Sequence, residues 1–237
     1  FYAKFEDAFL NQPRKLFLEY GLHFTKQDNP VVLDLGCGTG TALHYLLDRL
    51  PHGTFYGCEP ALSMLHKAKQ VMGDKAQLYP YKAKEIPAND WKEKFDLVLS
   101  YSNLRFWENP VEGLNTLYQI LKPGGVAYIL DLRQDIDEEL KEIFLSQARS
   151  PEETTFLTHQ LNSALPLAAL EEIVQSSVWT NFALRVGGLF GYDRNSLEAF
   201  ELIQQNQAIA QMVFALNDGG FRDPKLAETV IHMIFRK

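Results

Sequence analysis

The stretch VVLDLGCGTG, residues 31–40, constrains the fold of this chain more than any other: an apolar strand pattern broken only by Asp34 runs straight into three glycines at alternate positions. A short run of β-branched and aliphatic residues without polar alternation reads as a strand buried on both faces, the kind that parallel sheets use. Gly36, Gly38 and Gly40 allow the chain to turn tightly and to lay bare backbone against a ligand. A helical pattern follows at once over 41–50, so strand, glycine turn and helix open a βαβ unit.

The same alternation continues through residue 132. Strand patterns fall at 31–35, 54–58, 77–81, 95–100 and 126–132, with helical patterns at 41–50, 61–72 and 110–121. Lys122-Pro123-Gly124-Gly125 reads as the stop of the last helix, because proline cannot continue it and glycine accepts a left-handed cap. Further strands are expected at 182–190 and 229–235, giving an α/β fold: an open, Rossmann-like, seven-stranded, mostly parallel sheet with helices on both faces. Between these parts the character changes. RQDIDEELKEIFLSQARS reads as a charged amphipathic helix, and Ser150-Pro151-Glu152-Glu153 supplies an N-cap, a first-turn proline and first-turn acids for another. The expected organisation is a helical cap over 1–30, the core over 31–132, a helical lid insertion over 133–164, and a C-terminal part of the core over 165–237 that adds a long helix from about residue 195.

Composition removes several function classes. With a net charge of −7, and no segment that gathers enough Lys and Arg for a basic stripe, nucleic acid is not an expected partner. No apolar run approaches the ~18 residues needed to span a bilayer, and FYAKFEDAF lacks the basic start and apolar centre of a signal peptide. The opening residue is Phe rather than Met, which leaves room for an upstream segment. Cys37 and Cys58 form no C-x-x-C pair, so free thiols in the cytoplasm are expected. The six histidines fall at no ligand-pair spacing, and no metal is expected.

Glu59 ends the second strand pattern about 20 residues beyond the glycines, where a carboxylate can accept hydrogen bonds from both hydroxyls of a ribose. An adenosine-containing cofactor fits this pair of features. Nicotinamide enzymes space their glycines G-x-G-x-x-G, and here the sixth position is Thr41. The loop, with Asp34 before it, instead resembles motif I of the class I S-adenosylmethionine-dependent methyltransferases. GCEPALSML, FDLVLSYSNLRFW and LKPGGVAYILDL resemble the family's later motifs. SNLRFWENP looks most like the small-molecule branch, which methylates free acids such as trans-aconitate and carrier-bound malonyl groups.

The resemblance implies S-adenosylmethionine as cofactor, held by Asp34, Gly36, Cys37, Gly38, Gly40, Glu59, Pro60, Met64, Ala83, Lys84, Ser100 and Tyr101, with Arg14 on the methionine carboxylate. It implies a small-molecule or carrier-bound acyl acceptor near Arg105, Phe106 and Trp107, with O- or carboxyl methylation favoured. Two residues depart from the family pattern. Phe106 stands where a histidine is common, and Lys82 stands where many relatives carry the acid that takes the adenine amino group. The sequence identifies no general base; His159 in the lid and Tyr192 near the sixth strand are candidates. Trp107 also reads as a core residue and Cys37 as a packing residue. A nicotinamide-dependent oxidoreductase and a catalytically silent cofactor-binding subunit remain alternatives.

Overall fold

The computed structural model describes residues 11–186, 193–195 and 224–237. Helix α1 (Asn11–Leu22) precedes an alternating series: β1 (Val31–Leu35), α2 (Thr41–Arg49), β2 (Thr54–Cys58), α3 (Leu62–Met72), β3 (Ala76–Tyr79), β4 (Phe95–Tyr101), α4 (Pro110–Ile120) and β5 (Leu121–Leu132). Then come α5 (Glu138–Leu145), α6 (Pro151–Ser163), α7 (Leu167–Gln175), β6 (Phe182–Val186), β7 (Asp193–Asn195) and β8 (Val230–Arg236). One sheet takes all the strands in the order β3-β2-β1-β4-β5-β8-β6-β7. The first five pair in parallel, while β8 runs antiparallel between β5 and β6. The seven expected strands are thus present, and a short antiparallel β7 is added at the edge.

Side chains alternate across the sheet and build a core on each face. Val32, Leu97, Leu99, Tyr128 and Leu130 join α1 through Phe17, Leu18 and Tyr20 on one side. Leu33, Leu35, Val98, Ala127 and Ile129 join α4 and α7 on the other. Strict alternation would place Phe95 beside Leu97, but the ladder between β4 and β5 shifts register between them, and Phe95 turns to the opposite core. Each such fully buried aliphatic or aromatic side chain is worth about 1.5–3 kcal/mol relative to exposure, so these two layers carry most of the hydrophobic stabilisation.

The Lys122–Gly125 segment does not cap a helix. α4 stops at Ile120, Leu121 already pairs with Phe95, and Gly124, at φ +79°, donates its N–H to the carbonyl of Lys237 at 2.7 Å. The chain needs the left-handed glycine for an irregular strand start that Lys237 closes, rather than for a helix end.

α5 and α6 are two capped helices after β5. Asp137 accepts from the N–H of Leu140 at 2.7 Å and Ser150 from that of Glu153 at 3.2 Å, the second as its sequence predicts. They bury a small cluster of their own, Phe156 and Leu157 against Phe144, Leu145 and Ala148. The predicted long helix from residue 195, and the strand beyond Val186, lie outside the described residues apart from β7.

Candidate functional site

β1 is followed in the sheet by β2 on one side and β4 on the other, so the crossovers leave in opposite directions and a crevice opens at the carboxyl ends of β1 and β4. A cleft of about 300 Å³ lies there, lined by Arg14, Gly36, Gly38, Glu59, Pro60, Met64, Tyr101, Ser102, Asn103 and Phe106. Its floor is the glycine loop. Gly36 and Gly38 sit at φ +79° and +56°, and a Cβ on Gly36 would meet the Asn103 side chain at 2.5 Å. Only glycine fits that crossing without displacing Asn103, whose amide donates to the carbonyl of Leu35 at 3.1 Å.

Four of the loop's N–H groups are used within the protein. Gly36 and Cys37 both donate to the carbonyl of Cys58, at 2.8 and 3.0 Å, and Gly40 donates to that of Cys37 at 2.9 Å. Gly38 donates to Glu59 Oε2 at 3.0 Å, while Ala61 donates to Glu59 Oε1 at 2.8 Å. A loop that cradles a pyrophosphate keeps its amides aimed at the ligand; here these four serve the protein. The cleft is therefore suited to a ligand that needs close backbone contact without a phosphate at this loop. Glu59 is 8% exposed and still borders the cleft.

Several other predicted residues support the cleft from behind. Asp34 is buried in β1, and Ser100 is fully buried with its hydroxyl donating to the carbonyl of Leu35 at 2.9 Å. The Cys37 thiol packs where a Cβ on Gly57 would otherwise stand. Burial, then the nearby Asp34 and Glu59 carboxylates, push its pKa up, which makes it inert as a nucleophile. Arg14 comes from α1 and lies over the Tyr101 ring at 5.5 Å. Ser102 holds a left-handed φ of +57° with its N–H on the carbonyl of Leu130 at 2.7 Å, backbone strain placed at the cleft mouth.

A narrower recess adjoins the cleft and shares Gly36, Pro60, Asn103 and Phe106 with it; Leu35, Tyr81, Lys82, Ala83, Lys84, Trp107, Glu108 and Asn109 complete its lining. Ala83 is its small buried wall. Lys82 and Lys84 both pair with Glu108. Hydrogen bonds from Lys82 and then Lys84 hold the Glu108 carboxyl down at about 2.

The acceptor-side residues separate. Phe106 lines both spaces and is 48% exposed, and Trp107 lines the recess while also packing on the core. Arg105 is absent from both linings. Its side chain pairs with Asp131 and reaches Gln160 of α6 and the Ser102 hydroxyl, with side-chain exposures of 1% and 2% for the charged pair. The structure thus places Arg105 in a buried clasp between the β4 and β5 ends and α6. His159 is exposed on α6 next to buried Gln160 and does not line the cleft, because the helix turns the two to different faces. Tyr192 lies outside the described residues. Sequence reading missed Ser102, Asn103 and Glu108, although all three follow the buried β4 within the motif that it singled out.

Residues 33–127 match the protein family described as a methyltransferase domain. Trans-aconitate 2-methyltransferase of Deinococcus radiodurans is 33% identical over 98 residues, covering 41% of this chain and 36% of that protein. Malonyl-[acyl-carrier protein] O-methyltransferase 2 of Ilyobacter polytropus is 26% identical over 47% of this chain and 42% of its own length. The chain therefore matches less than half the length of these curated relatives. Among solved structures, the plantazolicin methyltransferase BamL, in complex with a triazolic desmethylPZN analog and SAH, superimposes over 99% of this chain and 88% of its own. Its TM-score is 0.79 at 21% identity. No helix among the described residues is long and apolar enough to cross a membrane. Over residues 33–127 the chain is thus similar to methyltransferase domains, and its fold is the one that the plantazolicin methyltransferase BamL adopts.

Proposed function

We propose that the chain binds S-adenosylmethionine in the cleft and transfers its methyl group to a small organic or acyl acceptor, with a carboxylate or hydroxyl oxygen as the methylated atom. The carrying observation is the glycine loop, with the amides of Gly36, Cys37, Gly38 and Gly40 satisfied within the protein while Glu59 borders the cleft beside it. That arrangement suits a nucleoside without a pyrophosphate, which favours this cofactor over a nicotinamide dinucleotide. When bound, the cofactor supplies a methyl group already activated by a sulfonium. Glu59 would hold the ribose, the recess beside it the base, and Arg14 the amino-acid carboxylate.

The remaining work of the protein is positioning and exclusion of water. Residues 133–164 act as the lid in this reading, tied to the sheet through Gln160 and Arg105. No histidine is among the described residues that line the cleft. A carboxylate acceptor needs no general base, and that supports an acid or acyl acceptor above an amine. The two free buried cysteines suit a reducing, cytoplasmic setting.

The test has two steps. Calorimetry with S-adenosylhomocysteine and with NAD should give binding of the first alone. Radiolabelled cofactor offered with free acids, phenols and acyl-carrier thioesters should then label an acid or thioester-borne carboxylate. Binding of NAD alone would overturn the cofactor assignment, and labelling of amines alone would overturn the oxygen assignment.

A further inference from the structure

We infer that Glu108 is the side chain that reads the amino edge of the cofactor's base, held in place by Lys82 and Lys84 as positioning residues. The inference rests on the cofactor reading above and extends it to an assignment of base specificity.

A base attached to a ribose held at Glu59 must enter space that adjoins the Glu59 end of the cleft. The recess is that space, since Gly36 and Pro60, the neighbours of the loop and of Glu59, form part of both linings. Pro60, Phe106, Trp107 and the buried Ala83 give it flat or apolar walls on which a base can lie. An exocyclic amino group brought there is a hydrogen-bond donor and needs an acceptor. Lys82 and Lys84 are donors only. Asn103 is held by its amide nitrogen on Leu35 and Ser100, and Asn109 caps α4 through the N–H of Glu112 at 3.1 Å, so both are neutral acceptors committed elsewhere and weaker than a carboxylate. Glu108 is the one carboxylate among the described residues that line the recess.

The lysines do not disqualify it. A carboxylate offers about four acceptor positions, and two ammonium groups leave others open. Exposed ion pairs of this kind contribute little to folding stability, so three charged side chains converging on one recess are poorly explained as a stabilising feature. They do fix the carboxylate in one position, and they keep it ionised to well below neutral pH. The consequence is an adenine acceptor that arrives from the segment after β4 and is clasped by the loop after β3.

Titration calorimetry with S-adenosylhomocysteine and its 6-oxo, inosine-type analogue tests this, because the analogue replaces the amino donor by a carbonyl acceptor. The wild-type chain should prefer the amino form by about tenfold or more, the scale of one hydrogen bond to a charged group. Glu108→Ala should lose about tenfold for the amino form, leave the 6-oxo form within about twofold, and so abolish the preference. Glu108→Gln, which keeps a carbonyl oxygen, should fall between. In the double variant Lys82→Met, Lys84→Met, the carboxyl returns toward its ordinary range, so the preference should fade below about pH 5 while the wild type keeps it. Circular dichroism should report unchanged folds, since all three side chains lie at the surface. Equal losses for both ligands in Glu108→Ala, an unchanged preference, or no preference in the wild type would overturn the assignment while leaving the cofactor reading intact. Failure of the wild type to bind S-adenosylhomocysteine at all would overturn both.

Discussion

The two sides of the cleft are built by different means. Between the loop after β1 and the end of β2 the polar contacts run from backbone N–H groups to carbonyls or to the carboxylate of Glu59, and Gly36 leaves the room that the Asn103 side chain fills. On the β4–β5 side the contacts run between side chains: Arg105 joins Asp131 and Gln160, and Glu108, after β4, reaches across to Lys82 and Lys84 after β3. The first kind of construction is local and tolerates little change of residue size. The second joins elements far apart in sequence and tolerates little change of charge.

Stability should expose the contrast most strongly on the side-chain half. Asp131→Ala removes one partner of a fully buried ion pair and leaves the Arg105 charge without its carboxylate, which should cost about 3–5 kcal/mol. Urea denaturation measures it. Because Arg105 also reaches Gln160, hydrogen exchange over α6 should accelerate in the same variant. A loss under 1 kcal/mol would mean that the pair is hydrated and that the clasp does not order α6.

On the backbone half, binding rather than folding should suffer. Gly38→Val forces a β-branched residue into a left-handed conformation, at about 1–3 kcal/mol, and puts its side chain on the cleft floor. Affinity for S-adenosylhomocysteine should fall below calorimetric detection while the protein stays folded. Retained affinity would place the cofactor away from this loop.

Glu59 sits on the boundary between the two modes, since it is a side chain that fastens backbone. Glu59→Ala should weaken S-adenosylhomocysteine binding by about 1.5–3 kcal/mol, roughly tenfold to a hundredfold. The hydrogen bonds from Gly38 and Ala61 predict, in addition, a loss of about 1 kcal/mol or more in the unliganded protein. Comparison with the 2′-deoxy analogue separates the roles. Equal losses for both ligands would show that Glu59 acts through the loop and not through the ribose.

The smallest effect is expected at a cap. Ser150→Ala removes the acceptor for the N–H of Glu153, worth about 1 kcal/mol, and should loosen α6 without altering cofactor affinity. If cofactor binding fell with it, residues 133–164 would belong to the cofactor half and not to the lid.

The strand and helix order, the glycine loop, the acid at the end of β2 and the Ser150 cap were all legible in the chain, because each depends on residues within a few positions of one another and on periodicities of 2 or 3.6. The strand start at Leu121 was not, since the register shift opposite Phe95 and the bond from Gly124 to Lys237 belong to partners outside the segment. Arg105 shows the same limit at the site. Its position after β4 suggested an acceptor ligand, but Asp131 and Gln160, 26 and 55 residues further on, draw its charge into the protein. Lys82 and Glu108 stand 26 residues apart and meet only when the β3 and β4 ends share one edge of the recess. Local patterning thus determined which backbone would form the cleft, whereas the pairing of charges around it was decided only by the tertiary fold, because Coulomb and hydrogen-bond partners are chosen by distance in space and carry no signature in sequence spacing.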